Sequence, residues 1–211
     1  MEFNLFARRR CPYLRTAAAG SSSPSPSPSP CRGGGGLMSR RALERALRVD
    51  HAGEYGARRI YEGQLAVLEG RASEEVVAAL RGMLAQEGEH LAAFEEILRA
   101  RGVRPTALQP FWHAGGWLLG AATAALGEGA AFACTVAVEE VIEGHYRGQA
   151  AALREAGVDD EELLSRLERF ADEEAAHGEE AAGRGAETAP PGLEALVRGV
   201  TRLAIGLSER V

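Results

Sequence analysis

Glu87-Gly88-Glu89-His90 and Glu174-Ala175-Ala176-His177 are the two stretches on which the fold turns. Each lies in a run of strong helix formers. Residues three apart share one helix face, so each Glu-x-x-His pair aims a carboxylate and an imidazole at one point. A single such pair is weak evidence in a chain with 26 Glu. Two pairs, each following a helix with its own glutamate, are a far stronger signal. Glu54 and Glu139 are the single acids, 33 residues before Glu87 and 35 before Glu174 respectively. Residues on an antiparallel hairpin come level when the turn lies midway between them. The two midpoints fall near residues 71 and 157, where residues 70–73 and Gly157 supply turn chemistry.

The chain therefore reads as an internal duplication of a helical hairpin, each half delivering Glu, Glu and His. This is the ligand pattern of an all-α, ferritin-like four-helix bundle that holds two ions. Its candidate metal residues are Glu54, Glu87, His90, Glu139, Glu174 and His177. Four carboxylates buried without cations would cost many kcal/mol. Mixed imidazole and carboxylate ligands suit iron or manganese, and oxygen chemistry favours iron. The competing reading, Glu and His on solvated faces, has to treat turn arithmetic that works twice as coincidence. Helix phase selects Glu139 over Glu140. Counting by three and four from Glu139 reaches Phe132, Thr135, Ile142 and Tyr146, whereas from Glu140 it reaches Glu143, Gly144 and Arg147.

Working outward, the spacing predicts helices over 40–69, 74–101, 107–126, 129–156, 160–184 and 192–208. Ser73 is placed to cap the second, and Gly102 ends it. Gly127 and Gly129 break the third. Asp159 with Glu162 forms a capping box for the fifth, and Pro190-Pro191 precedes the last. No segment shows sustained β alternation. All 24 basic residues are Arg, and the net charge is −6 over 211 residues. Residues 46–211 carry −12 of charge against +6 in residues 1–45. So acidic a body excludes a nucleic-acid partner and leaves carboxylates for a cation. Cys11, Cys31 and Cys134, an odd count without CxxC, argue against a disulfide scaffold, and Cys134 reads as a core thiol.

Residues 1–40 read as a separate unit: an Arg-rich, Ser-rich, acid-poor start, then Ser/Pro alternation, then a Gly run. This is transit-peptide and linker composition, followed by one domain over 41–211. Residues 105–127 contain no Asp, Glu or Arg. Three readings compete for this stretch: a transmembrane span, a monotopic interfacial helix, or a deeply buried core helix. A single span would separate the first Glu-x-x-His from Glu139, so the metal pattern disfavours it. His113 beside Trp112 suits an interface. Gly116 and Gly120 permit close helix packing, a weak signal in a Gly-rich chain.

The stretch Leu47-Arg48-Val49-Asp50-His51-Ala52-Gly53-Glu54-Tyr55-Gly56-Ala57, with Arg59-Ile60-Tyr61 and Gly63-Gln64, resembles the first motif of the demethoxyubiquinone hydroxylases. Residues 134–140 with His145-Tyr146, residues 172–174 with His177, and the closing Leu207-Ser208-Glu209-Arg210 resemble that family's later motifs. The resemblance spans about residues 40–211 and departs at Glu143-Gly144. It implies a di-iron monooxygenase of ubiquinone biosynthesis that hydroxylates a demethoxy polyprenyl benzoquinol with O2, with NADH as electron donor. It implies two iron ions, one on Glu54, Glu87 and His90 and the other on Glu139, Glu174 and His177, with Glu87 and Glu174 bridging. His145 and Tyr146 are its candidate catalytic residues. The implied setting is the matrix side of the mitochondrial inner membrane. There the protein is peripheral, touching the membrane surface through extra apolar helices, with a lipid-binding protein of the ubiquinone-biosynthesis complex as partner. Two other functions stay open: a ferritin-like ferroxidase or peroxidase, and a non-catalytic scaffold of the same complex. For His51, support of a ligand and simple packing fit equally well.

Overall fold

A computed structural model describes residues 40–210; the transit-peptide reading lies outside these residues apart from Arg40. Among the described residues the chain is all-helical, without strands. The elements are α1 (Arg40–Leu68), α2 (Glu74–Arg101), α3 (Gln109–Ala125), α4 (Glu128–Glu155), α5 (Glu161–Ala182), a 3-10 turn (Ala186–Thr188) and α6 (Leu193–Ser208). Each half of the chain has the same plan. α1 and α2 pack as one hairpin and α4 and α5 as another; α3 then lies on α1, and α6 on α4.

Local chemistry explains the boundaries. The Ser73 hydroxyl accepts from the Val76 amide at 3.3 Å, starting α2, and Gly102 ends it in the left-handed conformation at φ 64°. Asp160, not Asp159, caps α5: its carboxylate accepts from the Leu163 amide at 3.1 Å. α4 closes through Gly157 at φ 65° and the Val158 amide on Leu153 O, which carries the chain one residue further before α5 begins. Glu162 consequently sits one position too early to complete a capping box. Gly127, at φ 120°, does separate α3 from α4, but Gly129 lies inside α4. A Cβ on Gly129 would collide with Thr188, so this glycine lets the 3-10 turn settle on α4.

Two of the three readings of the apolar stretch fall here. No helix among the described residues is long and apolar enough to cross a membrane. Nor is α3 a core helix, since it buries only Gly120, Thr123 and Ala124 and leaves Phe111 69% and Leu118 60% exposed. α6 is similar, with Leu196 and Leu203 exposed and Val197 buried. Where α3 meets α1 the two backbones touch. A Cβ on Gly120 would strike the Ile60 carbonyl, and one on Gly116 would lie 2.8 Å from the Gly56 carbonyl. The glycine pattern at 116 and 120 is thus a working helix–helix contact.

Candidate metal centre

Four helices converge on one buried point. α1 brings Glu54, α2 brings Glu87 and His90, α4 brings Glu139, and α5 brings Glu174 and His177; all six are buried. They form two overlapping groups: Glu54, Glu87, His90 and Glu174, and Glu87, Glu139, Glu174 and His177. Within each group the ligand atoms lie within 4.8 Å of one another, and Glu87 and Glu174 belong to both. His90 Nδ1 is 2.9 Å from Glu174 and 3.5 Å from Glu54. His177 Nδ1 is 3.2 Å from Glu87 and 3.3 Å from Glu174. Glu140 points outward, paired with Arg198 at 2.7 Å. Helix phase thus separates the two neighbours as counted.

The residues around this centre repeat across the two halves. Tyr61, seven residues after Glu54, donates its hydroxyl to Glu139 at 2.5 Å. Tyr146, seven after Glu139, donates to Glu54. Each hairpin's tyrosine therefore bonds the other hairpin's single acid. Outward, His90 Nε2 meets Glu173 at 2.7 Å and His177 Nε2 meets the Gln86 side-chain oxygen at 3.0 Å. Gln149 donates to Asp50 at 2.8 Å, and Gln64 to Thr135 at 3.3 Å. Equivalent positions are 85 residues apart on α1 and α4 (54 and 139, 61 and 146, 64 and 149) and 87 apart on α2 and α5 (86 and 173, 90 and 177). Sequence reasoning used this duplication for the ligands alone. Extending the same offsets would have paired Tyr61 with Tyr146 and Gln64 with Gln149, whereas Gln86, Glu173 and Asp50 have no like residue at the equivalent position.

The electrostatics are those of acids crowded together away from water. Burial first, then repulsion from Glu174, pushes Glu54, Glu87 and Glu139 well above the usual carboxylate range. Burial also opposes ionisation of Glu174, but the nearby imidazoles of His177 and His90, at 3.3 and 2.9 Å, outweigh it and hold Glu174 at about 2. Burial disfavours charge on both imidazoles, yet the proximity of Glu174 lifts each to about 9. Among the described residues, eight of the thirteen buried side-chain atoms without a hydrogen-bond partner belong to these six. They are Glu54 Oε2, both oxygens of Glu87 and of Glu174, Glu139 Oε2, and Nδ1 of both histidines. Orphaned buried acceptors all facing one point are what a pair of divalent ions would satisfy, so these residues fit such a group.

Tyr146 reaches the centre through Glu54, whereas His145 turns away from it. Its Nε2 meets Asp50 at 3.1 Å, and it lines an open cleft with Arg45, Gln149 and Glu209. His51 is buried, its Nδ1 has no hydrogen-bond partner, and it joins neither group. Cys134 is a core thiol, pushed up to about 12 by burial. A second cavity, about 180 Å³, is almost wholly apolar and walled by α1, α3, α4 and α6. Gly53 and Val138, the chain neighbours of Glu54 and Glu139, line it, as do Trp112 and Ser208. The Trp112 indole N–H donates to the Ser208 hydroxyl at 3.1 Å, tying α3 to α6.

Fold and site together define an all-helical protein with a buried Glu/His cluster compatible with metal binding. Residues 41–208 match the family described as Ubiquinone biosynthesis protein COQ7, and the chain belongs to that family. It is similar to the 3-demethoxyubiquinol 3-hydroxylase of Rhodospirillum rubrum, 48% identical over 171 residues, 80% of this chain and 78% of that protein. It is also similar to the mitochondrial NADPH-dependent 3-demethoxyubiquinone 3-hydroxylase of Homo sapiens, 51% identical over 141 residues, 66% of this chain and 64% of that protein. The protein of the same name in Dictyostelium discoideum is 48% identical over 140 residues, 66% of this chain and 63% of its own length. The chain thus spans slightly under two thirds of these mitochondrial relatives.

Proposed function

We propose that this chain is a ferritin-like di-iron monooxygenase that hydroxylates a demethoxy polyprenyl benzoquinol in ubiquinone biosynthesis. The observation that carries the reading is a buried Glu/His centre lying against an apolar cavity. Two irons held by Glu54, Glu87, His90, Glu139, Glu174 and His177 would supply the activation of O2 that ring hydroxylation needs. The protein does the rest. Tyr61 and Tyr146 fix the outer oxygen of each single acid, leaving the other free for a cation. The cavity excludes water and suits an isoprenoid-substituted ring, while the tail stays in lipid. Exposed apolar side chains on α3 and α6 flank that cavity and support peripheral attachment to a membrane surface.

The finer assignments belong to the same proposal: the mitochondrial inner membrane, its matrix side, and a lipid-binding protein of the biosynthetic complex docked on the apolar face. The resemblance implies NADH as reductant, while the mitochondrial relatives' names carry NADPH, so both nucleotides belong in the assay. The deciding experiment measures iron content and quinol turnover on one preparation. About two irons per chain with turnover is the expected result; iron without turnover would point to a ferroxidase, and turnover without iron would overturn the reading. Liposome flotation of Leu118→Glu with Leu203→Glu should show lost membrane binding with iron retained.

A further inference from the structure

The two halves of the centre match at nearly every position, so the places where they differ stand out. Directly before the inner acids, Gln86 occupies one half and Glu173 the other. Each reaches across to the opposite half. Glu173 takes the Nε2 of His90 at 2.7 Å, and Gln86 takes that of His177 at 3.0 Å. Both histidines present Nδ1 to the shared acids, so Nε2–H is the outward donor in both. A carboxylate acceptor pulls that proton toward itself, leaves the ring richer in electron density and so makes Nδ1 a stronger donor to a cation; a carboxamide does so less. Arg169, 3.9 Å from Glu173 and mostly exposed, offsets this charge only weakly. Of the other differing positions, Asp50 is paired with His145 where the opposite half has Thr135 and Ile60, and Glu89, where the opposite half has Ala176, is exposed to solvent, which screens its charge.

We propose that Glu173 and Gln86 are positioning residues that make the two metal positions unequal, so that a divalent cation fills the Glu54/His90 position first and the Glu139/His177 position second. The proposal rests on the metal-centre reading above. The binding gap set by such an exchange is about tenfold, the lower end of what partners of ligating histidines contribute.

The test titrates the metal-free full chain with zinc, following the ¹⁵N signals of both imidazoles, assigned with His90→Gln and His177→Gln. The first equivalent should shift His90 alone and the second His177. Glu173→Gln should close the gap, and Gln86→Glu combined with Glu173→Gln should reverse the order with two ions still bound. These swaps keep side-chain size, and circular dichroism checks the fold; the wild-type order needs no variant at all. Both imidazoles shifting together in the wild type, or an order unchanged by the double swap, would overturn the proposal. Two ordered zinc steps in a protein without quinol turnover would leave it standing while the hydroxylase reading fell. No zinc binding would remove the centre itself, and this proposal with it.

Discussion

The first half of the molecule (α1 to α3) and the second half (α4 to α6) agree inside and diverge outside. At the centre both deliver Glu, Glu and His with the same tyrosine behind the opposite acid. On the outside α3 lies backbone to backbone on α1 through Gly116 and Gly120, whereas α6 meets α4 through side chains such as Val197 and the Arg198–Glu140 pair. Gly199 and Gly206 of α6 have open space around them. The lesson is that a buried Glu/His cluster constrains a hairpin more tightly than surface burial constrains the helix that covers it.

The strongest way to break this comparison is at the centre. Glu139→Ala should cut bound metal from about two ions to about one or fewer and abolish turnover, while Glu140→Ala leaves metal near normal; metal analysis on folded protein reads both. Equal loss would show that the helix phase is misassigned. Next come the third helices. Gly120→Ala forces a methyl into the Ile60 carbonyl and should cost about 1–3 kcal/mol, or more. Gly199→Ala, exposed in α6, should gain about 0.5–1 kcal/mol from helix propensity. Opposite shifts in thermal midpoint would confirm that only α3 is locked by backbone contact.

The centre's protonation gives a smaller, signed effect. His90 and His177 are raised from 6.5 to about 9, so the stability they contribute is full below pH 6.5 and is lost as pH rises through about 9. The raised Glu54, Glu87 and Glu139 act in the same direction, their contribution being full below the ordinary 4.5 and lost as pH rises through their raised values. Glu174, held at about 2, keeps its contribution at every pH above its ordinary 4.5. The metal-free protein should therefore melt several degrees lower at pH 9.5 than at pH 6. The loaded protein should lose less, because cations replace those protons and bind more tightly as pH rises. The smallest change compares Tyr61→Phe with Tyr146→Phe. Each should cost about 1–2 kcal/mol in the metal-free protein by orphaning a buried acid oxygen, and similar costs would sharpen the equivalence of the halves.

Much of this was legible in the sequence because helix periodicity and turn chemistry are local. The helix spans come out within about two residues, and Glu139 separates from Glu140 by phase alone. What was not legible is what depends on neighbours distant in the chain. The Asp160 cap follows from how α4 closes, and the Gly116/Gly120 contact exists only because α1 lies beneath it. His145 shares a motif with Tyr146, yet adjacent helix positions diverge by about 100°, so one faces the centre and the other Asp50.

The crossed tyrosine bonds carry a historical consequence. Exchange of equivalent contacts, i to j′ and j to i′, is the grammar of an isologous twofold interface. A lone hairpin bearing Glu, Tyr, Gln and Glu-x-x-His would find every missing partner in a second copy of itself. In such a homodimer any substitution appears twice, so one half could not carry Gln86 where the other carries Glu173, nor Asp50 where the other carries Thr135. Fusion of the two copies into one chain is what allows those positions to drift apart, turning a symmetric pair of sites into two that selection can tune separately.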